Sequence, residues 1–226
     1  MDFCWGYIAD MLLNQGSPMV WITTMLLLVS GCSTNPNTTG FKLDGDWTFQ
    51  DSAGVWRAAE VPGCVHTDLL THGLIPDPFQ DVNEGEVEWV ENWDWRYRRP
   101  LPAPPPEGNW VLEFSGLDAH AEVQVNGRIV LNANNMHRSW RIPETELGLT
   151  GQDTLEVLFR SPVHVGQALL EASPVSIPVS NEARPIGQQN SVFSRKAQSH
   201  FGWDWGPRLV TSGIWKPVRW VRVDRE

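Results

Sequence analysis

Residues 121–130 read Ala-Glu-Val-Gln-Val-Asn-Gly-Arg-Ile-Val, and this stretch constrains the fold more than any other. Apolar and polar residues alternate, so Val123 and Val125 fall on one face of an extended chain. Asn126-Gly127 between the two runs is the favoured two-residue hairpin turn, because both residues accept positive φ. An amphipathic helix cannot carry this period. The same short-run pattern recurs at 47–49, 55–57, 94–99, 110–114, 139–142, 155–159 and 218–223, separated by Gly, Pro or Asn. Eight or nine strands with turn signals between them predict an all-β fold, a jelly-roll β-sandwich over 41–226.

Helical signals are few. A short helix is expected at 67–72, capped by Thr67. Val165, Ala168, Leu169 and Ala172 have helical spacing, with Pro174 to end it. The proline-rich run 100–106 lacks backbone donors and is expected to be a connecting loop. Two long connections, 60–94 and 173–200, are where a rigid sandwich carries function. No fixed-period repeat points to a solenoid or propeller.

Composition removes several function classes. The 226 residues carry 17 Lys and Arg against 27 Asp and Glu, a net charge of −10 that repels phosphate backbones and argues against nucleic-acid partners. P-loop, dinucleotide, G-x-S-x-G and H-E-x-x-H motifs do not occur, so neither a cofactor nor a metal is expected. Cys4, Cys32 and Cys64 are too few and too scattered for a disulfide framework.

The N-terminal 31 residues read as an address. An apolar run at 19–31 ends in Val29-Ser30-Gly31 before Cys32, too short to span a bilayer and similar to a bacterial lipoprotein cleavage box. Residues 1–31 are expected to be a signal peptide, Cys32 the lipidated residue and membrane attachment, and 32–40 a polar tether. The protein would then be exported to the bacterial periplasm or outer membrane. No basic residue precedes Lys42, which departs from the usual secretory signal, and residues 1–18 resemble no signal; a misassigned start, with the true one at Met19 or upstream in another frame, would explain that beginning.

Thirteen tryptophans are the unusual part of the composition. Trp47, Trp56, Trp110, Trp140, Trp215 and Trp220 lie in strand-like runs and are expected in the core. Trp93-Asp94-Trp95 leads into a strand and is expected to be structural. Trp203-Asp204-Trp205-Gly206-Pro207 differs: Pro207 and two flanking glycines argue against a regular strand, so a loop is expected. Sugars pack their C–H faces on aromatic rings and give adjacent hydroxyls to carboxylates, and Trp203, Asp204 and Trp205 supply both within three residues.

Four phrases carry a family resemblance: Val61-Pro62-Gly63-Cys64-Val65-His66-Thr67-Asp68-Leu69-Leu70 with Gly73–Phe79; Trp89-Val90-Glu91 with Trp93–Tyr97; Asn134-Asn135-Met136-His137-Arg138-Ser139-Trp140; and Arg195-Lys196-Ala197-Gln198 with 200–208 and 211–217. Together they resemble the N-terminal, galactose-binding-domain-like jelly roll of the β-mannosidases of glycoside hydrolase family 2. The resemblance implies a multidomain retaining exo-enzyme acting on terminal β-linked mannose. Its two catalytic glutamates lie on a (β/α)₈ barrel that this chain does not contain, so no catalytic residue is expected here. It also implies that Asp204 holds sugar hydroxyls, that Trp203 and Trp205 wall the pocket, and that the partner is a β-mannoside oligosaccharide. Asn83-Glu84 and Asn181-Glu182 mimic the family's Asn-Glu pair and are expected to be solvated loop residues. His200 is a candidate supporting residue. A free-standing, lipid-anchored carbohydrate-binding module, or a sister β-galactosidase or β-glucuronidase, are the alternatives.

Overall fold

The computed structural model describes residues 40–175, 177–179 and 181–223, so Cys32 and the segment read as a signal lie outside the described residues. Twelve strands follow in order: β1 (Gly40–Lys42), β2 (Thr48–Gln50), β3 (Trp56–Ala58), β4 (Trp95–Leu101), β5 (Trp110–Phe114), β6 (His120–Val125), β7 (Arg128–Asn134), β8 (Trp140–Pro143), β9 (Asp153–Phe159), β10 (Phe201–Trp203), β11 (Gly206–Arg208) and β12 (Val218–Arg222). The helices are α1 (Val65–Thr71), α2 (Asn83–Val87), α3 (Glu144–Leu147) and α4 (Pro162–Ala172).

One sheet has the order β3-β2-β4-β9-β6-β7, a second β1-β12-β5-β8, and β10-β11 stand apart as a hairpin. All pairings between named strands are antiparallel, which is the expected sandwich. The alternation that predicted β6 also fixes its register. Ala121, Val123 and Val125 oppose Phe159, Val157 and Leu155 of β9, and all six are buried. A one-residue slip would turn this set to solvent. Asn126 (φ 51°) and Gly127 (φ 79°) make the expected positive-φ turn, and a bulge between Val123 and Gln124 shifts the register of β7. Phe49, Trp95, Tyr97, Leu112, Phe114, Phe159 and Trp220 fill the core at 1% exposure or less. Burying a side chain of this size contributes about 1.5–3 kcal/mol.

Several expectations change. The α1 cap is Cys64, three residues before the expected Thr67, whose hydroxyl serves the turn from inside instead, accepting the Cys64 N–H at 3.3 Å. β4 runs through Pro100, which pairs with Thr154. Proline is tolerated there because β2 reaches only Arg98, leaving one flank of β4 without a strand that needs a donor. Gly40, expected in the tether, begins β1. Asn83-Glu84 open the short helix α2 rather than lying in a loop. Trp47, Trp110 and Trp220 are buried as expected, whereas Trp56, Trp140 and Trp215 are half-buried. Each of these three carries a cation over its ring: Arg98 at 3.7 Å, Arg138 at 4.3 Å and Lys216 at 4.2 Å. Cation and ring cover apolar surface that the sandwich leaves open.

Candidate functional site

Trp203-Asp204-Trp205 forms the tip of a hairpin, where a loop was expected. β10 and β11 pair at Phe201↔Arg208 and Trp203↔Gly206, so Asp204 and Trp205 are the two turn residues. Pro207 falls between the paired positions, where no donor is required. Gly202 sits at φ 94°, and a Cβ there would meet the Ala183 Cβ at 2.8 Å, so only glycine fits. Trp203 is half-buried, Asp204 is exposed, and Trp205 is 74% exposed. Among the described residues, no hydrogen bond or ion pair engages the Asp204 carboxylate. An exposed indole and an unengaged carboxylate at the hairpin tip offer an apolar face for C–H groups and two acceptor oxygens for hydroxyls.

The base of the arm is as buried as its tip is exposed. Arg208 reaches both oxygens of Glu91 at 2.9–3.2 Å and the Phe201 carbonyl at 3.0 Å, closing the hairpin base. Arg184 adds a second guanidinium to Glu91 at 2.9 Å and to Glu88 at 3.0 Å. Glu182, expected to be solvated, is buried; it accepts the N–H groups of Asn190 and Ser191 and lies 3.5 Å from Arg208. A second buried cluster holds the chain on both sides of the hairpin. The Lys196 ammonium shares its three protons among four acceptors, both Asp118 oxygens and the carbonyl and hydroxyl oxygens of Thr211, and Thr211 Oγ1 lies 2.6 Å from Asp118 Oδ2.

The four phrases that carried the resemblance converge here. Gly63 donates to Ile214 O and Val65 to Ser212 O. Glu91 binds Arg208, Met136 donates to Arg195 O, and Trp215 donates its ring N–H to Met136 O. Trp95 is buried as expected, while Trp93 is 46% exposed. Asp94 accepts from Arg160 and the Ser161 N–H, a structural role. The buried charges were not legible as a set, since Glu91–Arg208 spans 117 residues and Asp118–Lys196 spans 78. A shallow groove elsewhere is lined by Asp46, Arg99 and Asp153. The last two are committed to internal partners, Leu43 O for Arg99 and Thr150 for Asp153.

Histidines surround the second cluster. Burial and then the Lys196 ammonium hold His66 and His200 down to about 4, and burial also lowers His120. His66 Nδ1 is buried with no hydrogen-bond partner among the described residues. Asp68, which accepts from Tyr97 at 2.6 Å, is pushed up to about 6 by burial. The signs oppose. Between about pH 6.5 and 4 the unfolded chain gains protons at His66 and His200 that the folded chain refuses, which destabilises the fold as pH falls. Over the same window Asp68 takes up a proton in the folded state and offsets one of the two. Thermal midpoints should therefore fall from pH 7 to pH 4.5. His66→Leu should flatten that slope; an unchanged slope would show that His66 is not a source of acid sensitivity.

Comparison with known proteins identifies the family of the domain. Residues 47–216 match the model of the glycosyl hydrolase 2 galactose-binding domain-like family. β-Mannosidase B of Aspergillus terreus is 38% identical over 181 residues, covering 76% of this chain and 21% of that protein. The Thermothelomyces thermophilus β-mannosidase B is 39% identical over 184 residues, covering 78% and 21%. The chain thus spans about a fifth of the length of these curated relatives. Among solved structures, the β-D-mannosidase of Dictyoglomus thermophilum superposes with a TM-score of 0.72 at 41% identity, over 80% of this chain and 22% of that one. An exo-β-D-glucosaminidase, CsxA, shares the fold alone, with a TM-score of 0.51 at 20% identity over 82% of this chain and 20% of that one. With its sandwich, its converging phrases and a family match over most of its length, the chain belongs to the galactose-binding-like domains of glycoside hydrolase family 2.

Proposed function

We propose that this chain is the N-terminal, substrate-contacting domain of an exo-acting β-mannosidase. The observation that carries the reading is the Trp203-Asp204-Trp205 tip, exposed at the end of a hairpin whose base is held by buried ion pairs. Its likeness to proteins named β-mannosidase supports mannose as the sugar over the sister activities. In this reading Asp204 accepts hydrogen bonds from hydroxyls of the terminal mannose, and the two tryptophans wall the ring. The hydrolytic carboxylates belong to a further domain. Each of the seven buried carboxylates among the described residues is engaged structurally: Asp51 with Arg57, Asp68 with Tyr97, Glu91 with Arg208, Glu113 with Arg141, Asp118 with Lys196, Asp153 with Asn126, and Glu182 with backbone N–H groups. None is left for a paired acid and nucleophile.

The test is the longer coding sequence. Expressed with its downstream domains, the protein should hydrolyse a chromogenic β-mannoside in preference to the matching β-galactoside and β-glucuronide, and the 226-residue chain alone should hydrolyse none. Preference for a sister sugar would reject the mannose assignment. Turnover by the short chain would reject the division of labour. Attachment through a lipidated Cys32, with export to the periplasm or outer membrane, is part of the same proposal and rests on the Val29-Ser30-Gly31-Cys32 box. Labelled fatty acid should enter the protein in a bacterial host and be lost in Cys32→Ser. An unlabelled wild type would dismiss the anchor.

A further inference from the structure

Thr211 is small and stands outside the hairpin, yet it is where the buried cluster closes. Lys196 lies five residues before β10 and Thr211 three residues after β11. Both bind Asp118, which also exchanges backbone hydrogen bonds with Gly213. The two chain ends that enter and leave the hairpin are thereby tied to one carboxylate between β5 and β6.

The chemistry of the partners orders the protons on Thr211 and His200. Opposite an ammonium, Asp118 is a carboxylate and donates nothing. The 2.6 Å contact between Thr211 Oγ1 and Asp118 Oδ2 must then hold the hydroxyl proton. Lys196 donates to the same hydroxyl oxygen at 3.0 Å. Its one proton spent, Thr211 Oγ1 can only accept from His200 Nδ1 at 3.1 Å. His200 must therefore carry its proton on Nδ1, leaving Nε2 bare. No hydrogen-bond partner of Nε2 occurs among the described residues.

We propose that Thr211 is a positioning residue: its hydroxyl locks Asp118, Lys196 and His200 into one proton order and so fixes the angle at which the Trp-Asp-Trp tip is presented to sugar. The inference rests on the reading that this tip contacts substrate. Thr211→Val keeps the shape and removes the hydroxyl, and Thr211→Ser restores it. Lys196→Met is less useful, because it strands a buried carboxylate and invites unfolding.

Three readouts test it. First, nitrogen NMR of the 226-residue chain should show neutral His200 as the Nδ1–H tautomer in the wild type and in Thr211→Ser. Second, hydrogen exchange of residues 201–208 should quicken roughly tenfold in Thr211→Val, as loss of one hydrogen bond to a charged network implies, with exchange in β6 and β9 unchanged. Third, in the longer enzyme Thr211→Val should lower kcat/KM for a β-mannoside by roughly tenfold, and Thr211→Ser should recover most of it. An Nε2–H tautomer in the wild type, or unchanged exchange at 201–208 in Thr211→Val, overturns the proposal. So does normal turnover by Thr211→Val when Asp204→Ala is crippled. If Asp204→Ala itself is harmless, the sugar-contact reading fails instead, and with it any effect on turnover, while tautomer and exchange still decide whether Thr211 sets the hairpin.

Discussion

Asp204→Ala, made in the longer enzyme, should lower kcat/KM for a β-mannoside by about ten- to a hundredfold or more while leaving the thermal midpoint within about a degree. A hydrogen bond to a charged group contributes roughly 1.5–3 kcal/mol, and Asp204 is proposed to accept two. The fold has no stake in this carboxylate, because it is exposed at the hairpin turn and bonds no described residue. Trp110→Ala is the contrasting control. At 7% exposure, with its ring N–H donated to Glu107 O at 3.0 Å, Trp110 holds the β5 end of the core. Its loss should cost about 3–5 kcal/mol of stability. Kinetics and thermal midpoints on both variants separate a contact with substrate from a contribution to folding. Activity lost by Asp204→Ala only through unfolding would make the tip structural.

The second large effect is expected at Glu91. Its carboxylate is 3% exposed and pairs with both Arg208 and Arg184. Glu91→Ala leaves Arg208 buried, with only the more distant Glu182 at 3.5 Å as a counter-charge. Removing one partner of a buried pair costs about 3–5 kcal/mol, or a fall in midpoint of roughly 6–20 °C for a domain of this size. Replacing both partners, Glu91→Leu with Arg208→Leu, should cost less than Glu91→Ala alone, since no charge is then stranded. A double variant that loses as much as the sum of the singles would show that Glu91 and Arg208 act independently.

These two residues also mark where the sequence stops being readable. Alternation and the Asn126-Gly127 turn disclosed the strands, because a local period of two and a positive-φ dipeptide are written in consecutive residues. The Trp203-Asp204-Trp205 hairpin escaped the same reasoning. Neither Asp204 nor Trp205 takes positive φ, and Pro207 argues against a strand until its unpaired position is known. Pro100 misled for the same reason, since the reach of β2 decides whether β4 tolerates it. The α1 cap moved to Cys64 because Thr67 serves the first turn from within it. As a candidate for sugar contact, Asp204 was singled out by its residue type between two tryptophans and by the family phrases. Its support was not: Glu91, Asp118, Lys196 and Thr211 become neighbours only once the sandwich has formed.

The central claim is that the hairpin tip touches the sugar. A crystal structure of the longer enzyme with a mannose-configured ligand in the cleavage site tests it most directly. The account predicts the Asp204 carboxylate within about 2.5–3.2 Å of two ligand hydroxyls, with an indole of Trp203 or Trp205 against the ring. A ligand fully satisfied by other residues, with Asp204 facing solvent, would contradict it.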